Sequence, residues 1–134
     1  MNCIFCQIIA GEIPSYKVYE DDQVFAFLDI APINYGHILV IPKKHAANLE
    51  EIEASELEPL MRVVKLLGAA VIKSSVAEGY NVVVNNNAAA GQIVPHLHFH
   101  IIPRNTCDSL STWPGGKYGD GEAEEALNKI KLAI

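Results

Sequence analysis

Three histidines alternate with apolar residues in the segment His96-Leu97-His98-Phe99-His100. Side chains of an extended strand point alternately to opposite faces, so the three imidazoles share one face and the apolar side chains share the other. A neutral imidazole can attack phosphorus and form a labile N–P bond, and a second histidine beside it can protonate the leaving group. The pattern therefore predicts a phosphorus-directed nucleophile at His98, the middle position, assisted by His100.

A small, polar segment precedes the histidines and spans residues 85–92. Such loops usually face a ligand or solvent. The charge that builds up on phosphoryl oxygens needs fixed hydrogen-bond donors, and Asn85, Gln92 and the backbone N–H groups around Gly91 can supply them. We expect this segment to contact the phosphate of a substrate.

Two other functions fit the same residues. In a metallohydrolase, His96 and His98 would bind a catalytic metal, and chelators would abolish turnover. In a nucleotide-binding interaction module, no relevant turnover would occur, and no phosphorus adduct would form on His98. A polar strand face with ordinary solvated histidines is the purely structural interpretation.

Cys3 and Cys6 form a C-x-x-C pair at the beginning of the sequence. This spacing is half of a typical zinc site, which two histidines would complete. Thioredoxin-like redox chemistry uses the same spacing, but there the motif starts a helix that follows a strand. Two buried thiols on a short helix are the third alternative, because free cysteine is among the most buried residue types.

Composition limits the classes of function. The 134 residues fit one domain, and half of them are apolar. The net charge of -6 argues against binding of a nucleic-acid polymer, which needs a Lys/Arg surface. Every apolar run is far shorter than the ~20 residues of a membrane helix, so we expect no membrane association. Three cysteines and the absence of a signal-peptide pattern predict a cytoplasmic location.

The hydrophobic periodicity predicts one α+β domain with a five-stranded antiparallel sheet, a short N-terminal helix, one long helix and a C-terminal helix. The long helix is expected over Ser55–Ala77, with a capping box at Ser55-Glu56-Leu57-Glu58 and with Pro59 in its first turn. The other predicted elements are a helix over Cys3–Ala10, strands over Val18–Glu20, Gln23–Asp29, His37–Ile41, Tyr80–Val84 and His96–Ile102, and a helix over Ala123–Ile134.

The histidine segment, extended to His96-Leu97-His98-Phe99-His100-Ile101-Ile102, resembles the signature of the histidine triad (HIT) family. Three further segments also resemble the family, and together the resemblance covers nearly the whole chain: Cys3-Ile4-Phe5-Cys6-Gln7-Ile8-Ile9, Phe27-Leu28-Asp29-Ile30, and Gly36-His37-Ile38-Leu39-Val40-Ile41-Pro42-Lys43-Lys44-His45. The implied organisation is a single HIT domain over residues 1–134, with a core at about 3–107 and a C-terminal tail and helix over 108–134.

The resemblance implies a nucleotidyl hydrolase or transferase that forms a covalent nucleotidyl-histidine at His98. It places His100 on the phosphate side and His37 near the nucleophile, and we count both with the catalytic group. Asp29 falls where the family binds the ribose hydroxyls, and Asn85 and Gln92 fall near the phosphate. The base-packing positions of the family correspond here to Ile4, Phe5, Ile8, Phe27 and Ile30, for which plain core packing is the alternative.

The resemblance also implies a cofactor and a partner. Some bacterial relatives carry a structural zinc, whose ligands correspond here to Cys3, Cys6, His45 and His96. Family members form homodimers through the long helix and a shared strand edge. The expected substrate is a purine nucleotide or dinucleotide: a dinucleoside polyphosphate, a nucleoside phosphoramidate or an acyl-adenylate. One departure is Ile93, which stands where many phosphoramidate-cleaving relatives have Ser or Thr.

Overall fold

The computed structural model describes residues 2–134, and within them it has three α-helices, five strands and one 3-10 turn. In chain order these are α1 (Ile4–Ile9), β1 (Lys17–Glu20), β2 (Val24–Leu28), β3 (Ile38–Pro42), α2 (Ala54–Lys73), β4 (Gly79–Val84), the 3-10 turn (Ala88–Ala90), β5 (Phe99–Arg104) and α3 (Glu122–Leu132). No helix in this part of the chain is long and apolar enough to cross a membrane.

The five strands form one sheet in the order β1-β2-β3-β5-β4, and every neighbouring pair is antiparallel. The predicted α+β fold and antiparallel five-stranded sheet are therefore confirmed. Strand β5 lies between β3 and β4, with His100 opposite Leu39 on one side and Val83 on the other. The histidine strand thus lies inside the sheet, where neighbours on both sides hold its backbone in place.

Both faces of the sheet are covered. Helix α2 presents Leu60, Val64 and Leu67 at helical spacing, and they pack with Leu97 and Phe99 in the larger core. On the other face, α1 covers a smaller core. Its members are Cys3, Phe5, Ile8, Phe25, Phe27, Leu39 and Ile41. Strands β2 and β3 read as nearly continuous apolar runs because each of their faces meets one of these cores.

The long helix differs from its predicted form. It begins at Ala54 and is preceded by Glu53 at the N-cap, whose side chain makes no capping hydrogen bond, so the capping box at Ser55 was wrong. Pro59 consequently lies beyond the first turn, as the sixth helical residue. The helix ends at Lys73 rather than Ala77, because Ser75 adopts a left-handed backbone (φ 60°) that ends the helical run.

The histidine strand also begins later than predicted. Ladder pairing starts at Phe99, not His96, and continues to Arg104. Instead of pairing in the sheet, Leu97 donates its N–H to the carbonyl of Ala46 (2.7 Å). The apolar alternation is nevertheless retained, because Leu97, Phe99 and Ile101 are all buried in the α2-side core.

Candidate active site

A cleft of about 320 Å³ opens on the α1 side of the sheet, with His98 and His100 in its wall. Most of the predicted site residues line it together. From the sequence-based predictions these are Ile4, Phe5, Ile8, Phe27, Asp29, Ile30, Asn85, His98 and His100. Two predicted residues, His37 and Gln92, do not line it. The cleft wall combines apolar side chains of α1 with the two histidines, and Phe5 lies against His98.

One ring nitrogen of His98 is engaged by its own backbone segment. Its Nδ1–H donates to the carbonyl of His96 at 2.7 Å. In a neutral imidazole the other nitrogen, Nε2, then carries the lone pair. Phe5 meets the imidazole edge-on, with ring centroids 5.2 Å apart, and fixes the plane of the ring. The geometry thus leaves one defined nucleophilic nitrogen.

His100 and His37 form a buried pair beside His98. The His37 Nε2 to His100 Nδ1 distance is 2.9 Å, and the rings of His100 and His98 lie 4.9 Å apart. His37 is only 1% exposed and lies behind His100 rather than in the cleft wall. Gly36, with φ of +85°, makes the tight turn that places His37 directly before β3.

Burial shifts the titration of this pair. It lowers the pKa of His100 to about 4, with smaller contributions from His98 and His37. Burial also lowers the pKa of His37, partly opposed by Asp29. Both imidazoles are therefore neutral at physiological pH.

Asp29 directly follows β2 and lines the cleft. One carboxylate oxygen accepts the backbone N–H of Ala31 at 2.8 Å, which fixes the side chain. The other oxygen lies 3.9 Å from His37 Nε2. A carboxylate held in this way keeps lone pairs available for a pair of sugar hydroxyls.

Gln92 occupies a different place from the one expected of a phosphate contact. Its amide nitrogen donates to the carbonyls of Ala47 (2.6 Å) and Val94 (3.0 Å), and its oxygen accepts the N–H of Asn87. The side chain braces the loop instead of lining the cleft. Asn85 and Gly91 of the same loop do reach the cleft wall.

Several lining residues were missed by sequence reasoning. Ile13, Pro14 and Ser15 come from the turn after α1, and Val94 comes from the loop before the histidines; Ile93 of the same loop, noted in the sequence only as a departure from the family pattern, also lines the cleft. Ile93 is 92% exposed, which is unusual for an isoleucine and places an apolar side chain at the rim. Its position directly after Gln92 was the only available signal.

A second cluster brings Cys3, Cys6, His45 and His96 together from α1, the segment after β3 and the segment before β5. Their ligand atoms lie within 4.8 Å of one another. The sulfur-to-nitrogen distances from Cys3 to His96, Cys6 to His45 and Cys6 to His96 are 3.4, 3.4 and 3.6 Å. Tetrahedral zinc with its usual bond lengths separates S and N by about 3.6 Å, so the cluster fits the ion.

The chemistry of these donors also fits zinc. His96 donates from Nε2 to the Pro42 carbonyl at 2.8 Å, which turns Nδ1 towards the cysteines, and burial lowers its pKa to about 4. Burial and the neighbouring Cys3 raise the pKa of the Cys6 thiol, so a thiolate there needs a nearby cation.

The geometry disfavours a metal shared by His96 and His98. His96 directs Nδ1 at the cysteines, whereas His98 directs Nδ1 at the backbone. Within residues 2–134, His98 belongs to neither group of His, Cys, Asp and Glu side chains that has metal-like spacing. Four protein ligands around one ion would also leave no open position for substrate.

Two characterised relatives align over most of the chain. It is 44% identical to an adenosine 5'-monophosphoramidase of Schizosaccharomyces pombe, over 98% of this chain and 100% of the relative. It is 45% identical to an adenylylsulfatase of Arabidopsis thaliana over 81% of this chain, but spans only 55% of that longer protein.

The fold is also similar to those of solved structures. A HIT family member from Bacillus subtilis superposes with a TM-score of 0.90 at 38% identity, covering 100% of this chain and 98% of that one. A zinc-bound histidine triad protein from Mycobacterium smegmatis superposes at 0.79 and 32%, covering 100% and 99%. The family model described as the HIT domain matches residues 10–107. The chain therefore belongs to the HIT family.

Proposed function

We propose that the protein is a nucleotide-binding hydrolase that cleaves a nucleoside phosphoramidate or a nucleotidyl anhydride through a covalent intermediate on His98. The observation that carries this proposal is the fixed orientation of His98, whose Nδ1–H is held by the His96 carbonyl while the ring lines the cleft. A nucleophile needs one free lone pair in a defined direction, and Nε2 supplies it.

The reaction takes two displacements at phosphorus. In the first, His98 Nε2 attacks the phosphorus, and the P–N or P–O bond to the leaving group breaks with its electron pair going to the leaving atom, which takes up a proton from the open mouth of the cleft. In the second, water attacks phosphorus and the N–P bond breaks, which releases the nucleoside monophosphate and restores neutral His98. Asn85 and Gly91 line the cleft, and we propose that the Asn85 amide and the backbone near Gly91 bind the phosphoryl oxygens.

The names of the relatives support the substrate class. The S. pombe relative is named for cleaving a P–N bond, and the A. thaliana relative for acting on an adenylyl sulfate. Both substrates share the adenylyl group and differ in what leaves. We infer that the nucleotide end is recognised and that the leaving group is varied, consistent with the solvent-exposed Ile93 at the rim.

Nucleotide binding tests the recognition half of the proposal. We expect AMP and GMP to bind with similar affinity, because the base end of the cleft is lined by apolar side chains such as Ile4, Ile8 and Phe27 and offers little base-specific hydrogen bonding. Asp29→Asn should weaken AMP binding about 10- to 100-fold, the value of hydrogen bonds to a charged acceptor. Isothermal titration calorimetry measures both effects.

The matched control is 2'-deoxyadenosine monophosphate. It should bind the wild-type protein more weakly than AMP, but bind Asp29→Asn about as well as AMP does, because the lost hydroxyl and the lost charge belong to one interaction. Failure of AMP and GMP to bind at millimolar concentration would refute the nucleotide assignment. An unchanged affinity in Asp29→Asn would refute the ribose contact.

We further propose that Cys3, Cys6, His45 and His96 bind one structural zinc ion. The S-to-N distances match a tetrahedral ion, and the zinc-bound M. smegmatis relative makes zinc the natural occupant. When bound, the ion would fix α1 and the segment before His98. It would take no part in the phosphorus chemistry, because all four positions are filled by side chains.

We also propose a homodimer formed through β4 and α2. The two edges of the sheet differ. Strand β1 is short and irregular and carries charged side chains at Lys17 and Glu20, features that protect an edge, whereas β4 has six uncharged residues. Exposed apolar side chains are found on β4 itself, at Tyr80 and Val82, and on α2, at Met61 and Ile72. Tyr80 sits directly over Gly68 of α2, which joins strand and helix into one surface.

Two valines of similar exposure, one on each edge, make a matched test. Val82→Lys on β4 should dissociate the dimer, whereas Val18→Lys on β1 should not; the side chains are 42% and 40% exposed. Sedimentation velocity should give about twice 14.6 kDa for the wild type and for Val18→Lys. A dimer that is lost in Val18→Lys but kept in Val82→Lys would place the interface on β1 and would refute the proposed β4 interface.

The organisation of the chain completes the proposal. We assign the site to a core over residues 3–107, which the family match at 10–107 supports, and treat residues 108–134 as an appended segment whose helix α3 has no buried residue. A cytoplasmic location stays a prediction.

A further inference from the structure

We propose that His37 is a positioning residue that fixes the proton of His100 on Nε2, so that His100 presents a neutral hydrogen-bond donor to a phosphoryl oxygen. This inference rests on the proposed function for its purpose, but its structural part concerns the free protein. It follows from a chain of three hydrogen-bonding groups that begins at a backbone amide.

The series of hydrogen bonds begins in the loop between β2 and β3. The backbone N–H of Ile33 donates to Nδ1 of His37 at 3.1 Å. A backbone amide is only ever a donor, so Nδ1 of His37 must be an acceptor without a proton. A neutral His37 therefore carries its proton on Nε2. Burial favours this neutral form by lowering the pKa of His37.

The second hydrogen bond, between His37 and His100, has its donor and acceptor fixed by the first. His37 Nε2 lies 2.9 Å from Nδ1 of His100, and because His37 carries its proton there, His37 donates and His100 accepts. The proton of a neutral His100 must then be on its other nitrogen, Nε2. A loop amide thus determines the tautomer of a histidine two hydrogen bonds away.

The last atom in this series of hydrogen bonds, Nε2 of His100, has no partner among the residues that the structure describes. Nε2 of His100 is buried, and within residues 2–134 it is the only buried side-chain nitrogen or oxygen that has no hydrogen-bond partner. A buried donor left unpaired costs about 1–3 kcal/mol, so such atoms usually have a functional explanation. His100 lines the cleft beside His98, and a phosphoryl oxygen bound for attack by His98 would satisfy its Nε2–H.

The same hydrogen bonds argue against a metal ion bound by His37 and His100. Asp29, His37 and His100 have metal-like spacing. A metal would require the lone pair of His37 Nε2 and would move the proton to Nδ1, where it would point at the N–H of Ile33. Two donors facing each other at 3.1 Å repel, so His37 and His100 act as a hydrogen-bond relay and not as metal ligands.

With its proton on Nε2, neutral His100 has a different catalytic role from the one predicted from the sequence. Its position next to the nucleophile predicts proton delivery to the leaving group, but a histidine whose pKa is lowered to about 4 carries no spare proton at neutral pH. The titratable groups that face it are His98, His37 and Asp29. His100 therefore stabilises negative charge on phosphorus oxygens by a fixed N–H dipole.

Long-range ¹⁵N–¹H NMR on histidine-labelled, nucleotide-free wild-type protein reads each tautomer directly. We expect His37 and His100 to be protonated on Nε2 and His98 on Nδ1, and we expect His100 to stay neutral from pH 8 to about pH 5. A proton on Nδ1 of His100, or a doubly protonated His100 at pH 7, would overturn the inference whether or not the protein turns over nucleotides.

Two substitutions then separate positioning from packing. The amide of His37→Gln offers an oxygen to Ile33 and an N–H to His100, so the tautomer and most of the turnover should persist. His37→Leu fills the space but cannot donate, and turnover should fall about 10- to 100-fold, the usual effect of losing a group that orients a histidine. Equal turnover in folded Gln and Leu variants would overturn the positioning role. If neither variant folds, the wild-type spectra still decide the tautomer.

Failure of the proposed function would look different. If the spectra show the expected tautomers but no nucleotidyl adduct forms on His98, the relay stands and covalent catalysis fails. If the adduct forms but His100 carries its proton on Nδ1, the covalent reaction stands and the relay fails.

Discussion

His98→Ala, His98→Asn and His98→Gly should lose turnover by about 10⁴-fold or more while the protein stays folded. The expected loss is large because the reaction needs an N–P bond at one nitrogen, and removing the nucleophile from an enzyme that uses covalent catalysis typically costs this much or more. His98 Nε2 is the nitrogen with a free lone pair, and no neighbouring group can replace it, since His100 is directed by His37. The rate should be measured on one adenosine phosphoramidate and one dinucleoside polyphosphate.

Two comparisons make the result specific. His100→Gln should cost about 10²- to 10³-fold, the value of one donor to a developing oxyanion, and therefore less than the loss of the nucleophile. Acid-quenched wild-type protein should carry one nucleotidyl group on His98 by mass spectrometry, and His98→Ala should carry none. A folded His98→Ala protein that kept more than a few per cent of the wild-type rate would rule out covalent catalysis by this residue.

Loss of the metal should have the second-largest effect, on stability rather than on chemistry. We expect one zinc per chain, and we expect Cys3→Ser to lose it and to lower the melting temperature by about 10 °C or more, since a structural zinc contributes several kcal/mol and each kcal/mol is worth a few degrees at this size. The cause is connectivity, because the ligands join segments 93 residues apart in the chain. Metal analysis and thermal melts measure both quantities.

Cys107→Ser is the matched control for this experiment. Cys107 is an exposed free cysteine outside the cluster, so its replacement should change neither the zinc content nor the melting temperature. Chelation should leave turnover intact at temperatures where the protein stays folded. If chelation abolished turnover in folded protein, a catalytic metal would be the better explanation, and the structural assignment would be wrong.

The apolar patterns of the strands and helices were sufficient to predict the sheet, whereas the residues expected to line the cleft came from the resemblance to the HIT family. Phe27, Leu39 and Phe99 are apolar because each lies in a strand that a core covers, and this burial is local enough to be read from sequence. The start of β5 was missed because Leu97 satisfies its N–H with the Ala46 carbonyl. The sequence alone cannot show that an extended segment bonds to a loop instead of a strand.

The site likewise has residues whose roles could be predicted from the sequence and residues whose roles could not. His98 could be predicted because three alternating histidines are a pattern within one segment. The role of Gln92 could not, because an amide side chain suits a phosphate and a backbone carbonyl equally well, and only folding brings the carbonyl of Ala47 within 2.6 Å. The link from Ile33 to His37 and His100 joins the segment before β3 to strand β5, 63 residues further along the chain, and it likewise could not be predicted from the sequence.

The difference between the two sheet edges also limits how many copies can assemble. Strand β1 is ion-paired, with Glu20 bridging Lys17 and Lys43, so it offers no template for a further strand. When two β4 strands pair about a twofold axis, each copy has used its one receptive edge, and both outer edges of the joined sheet are β1. Such an assembly is closed by symmetry, whereas a chain with two receptive edges could extend into a fibre. In the proposed dimer, the charges on β1 would therefore stop growth at two copies.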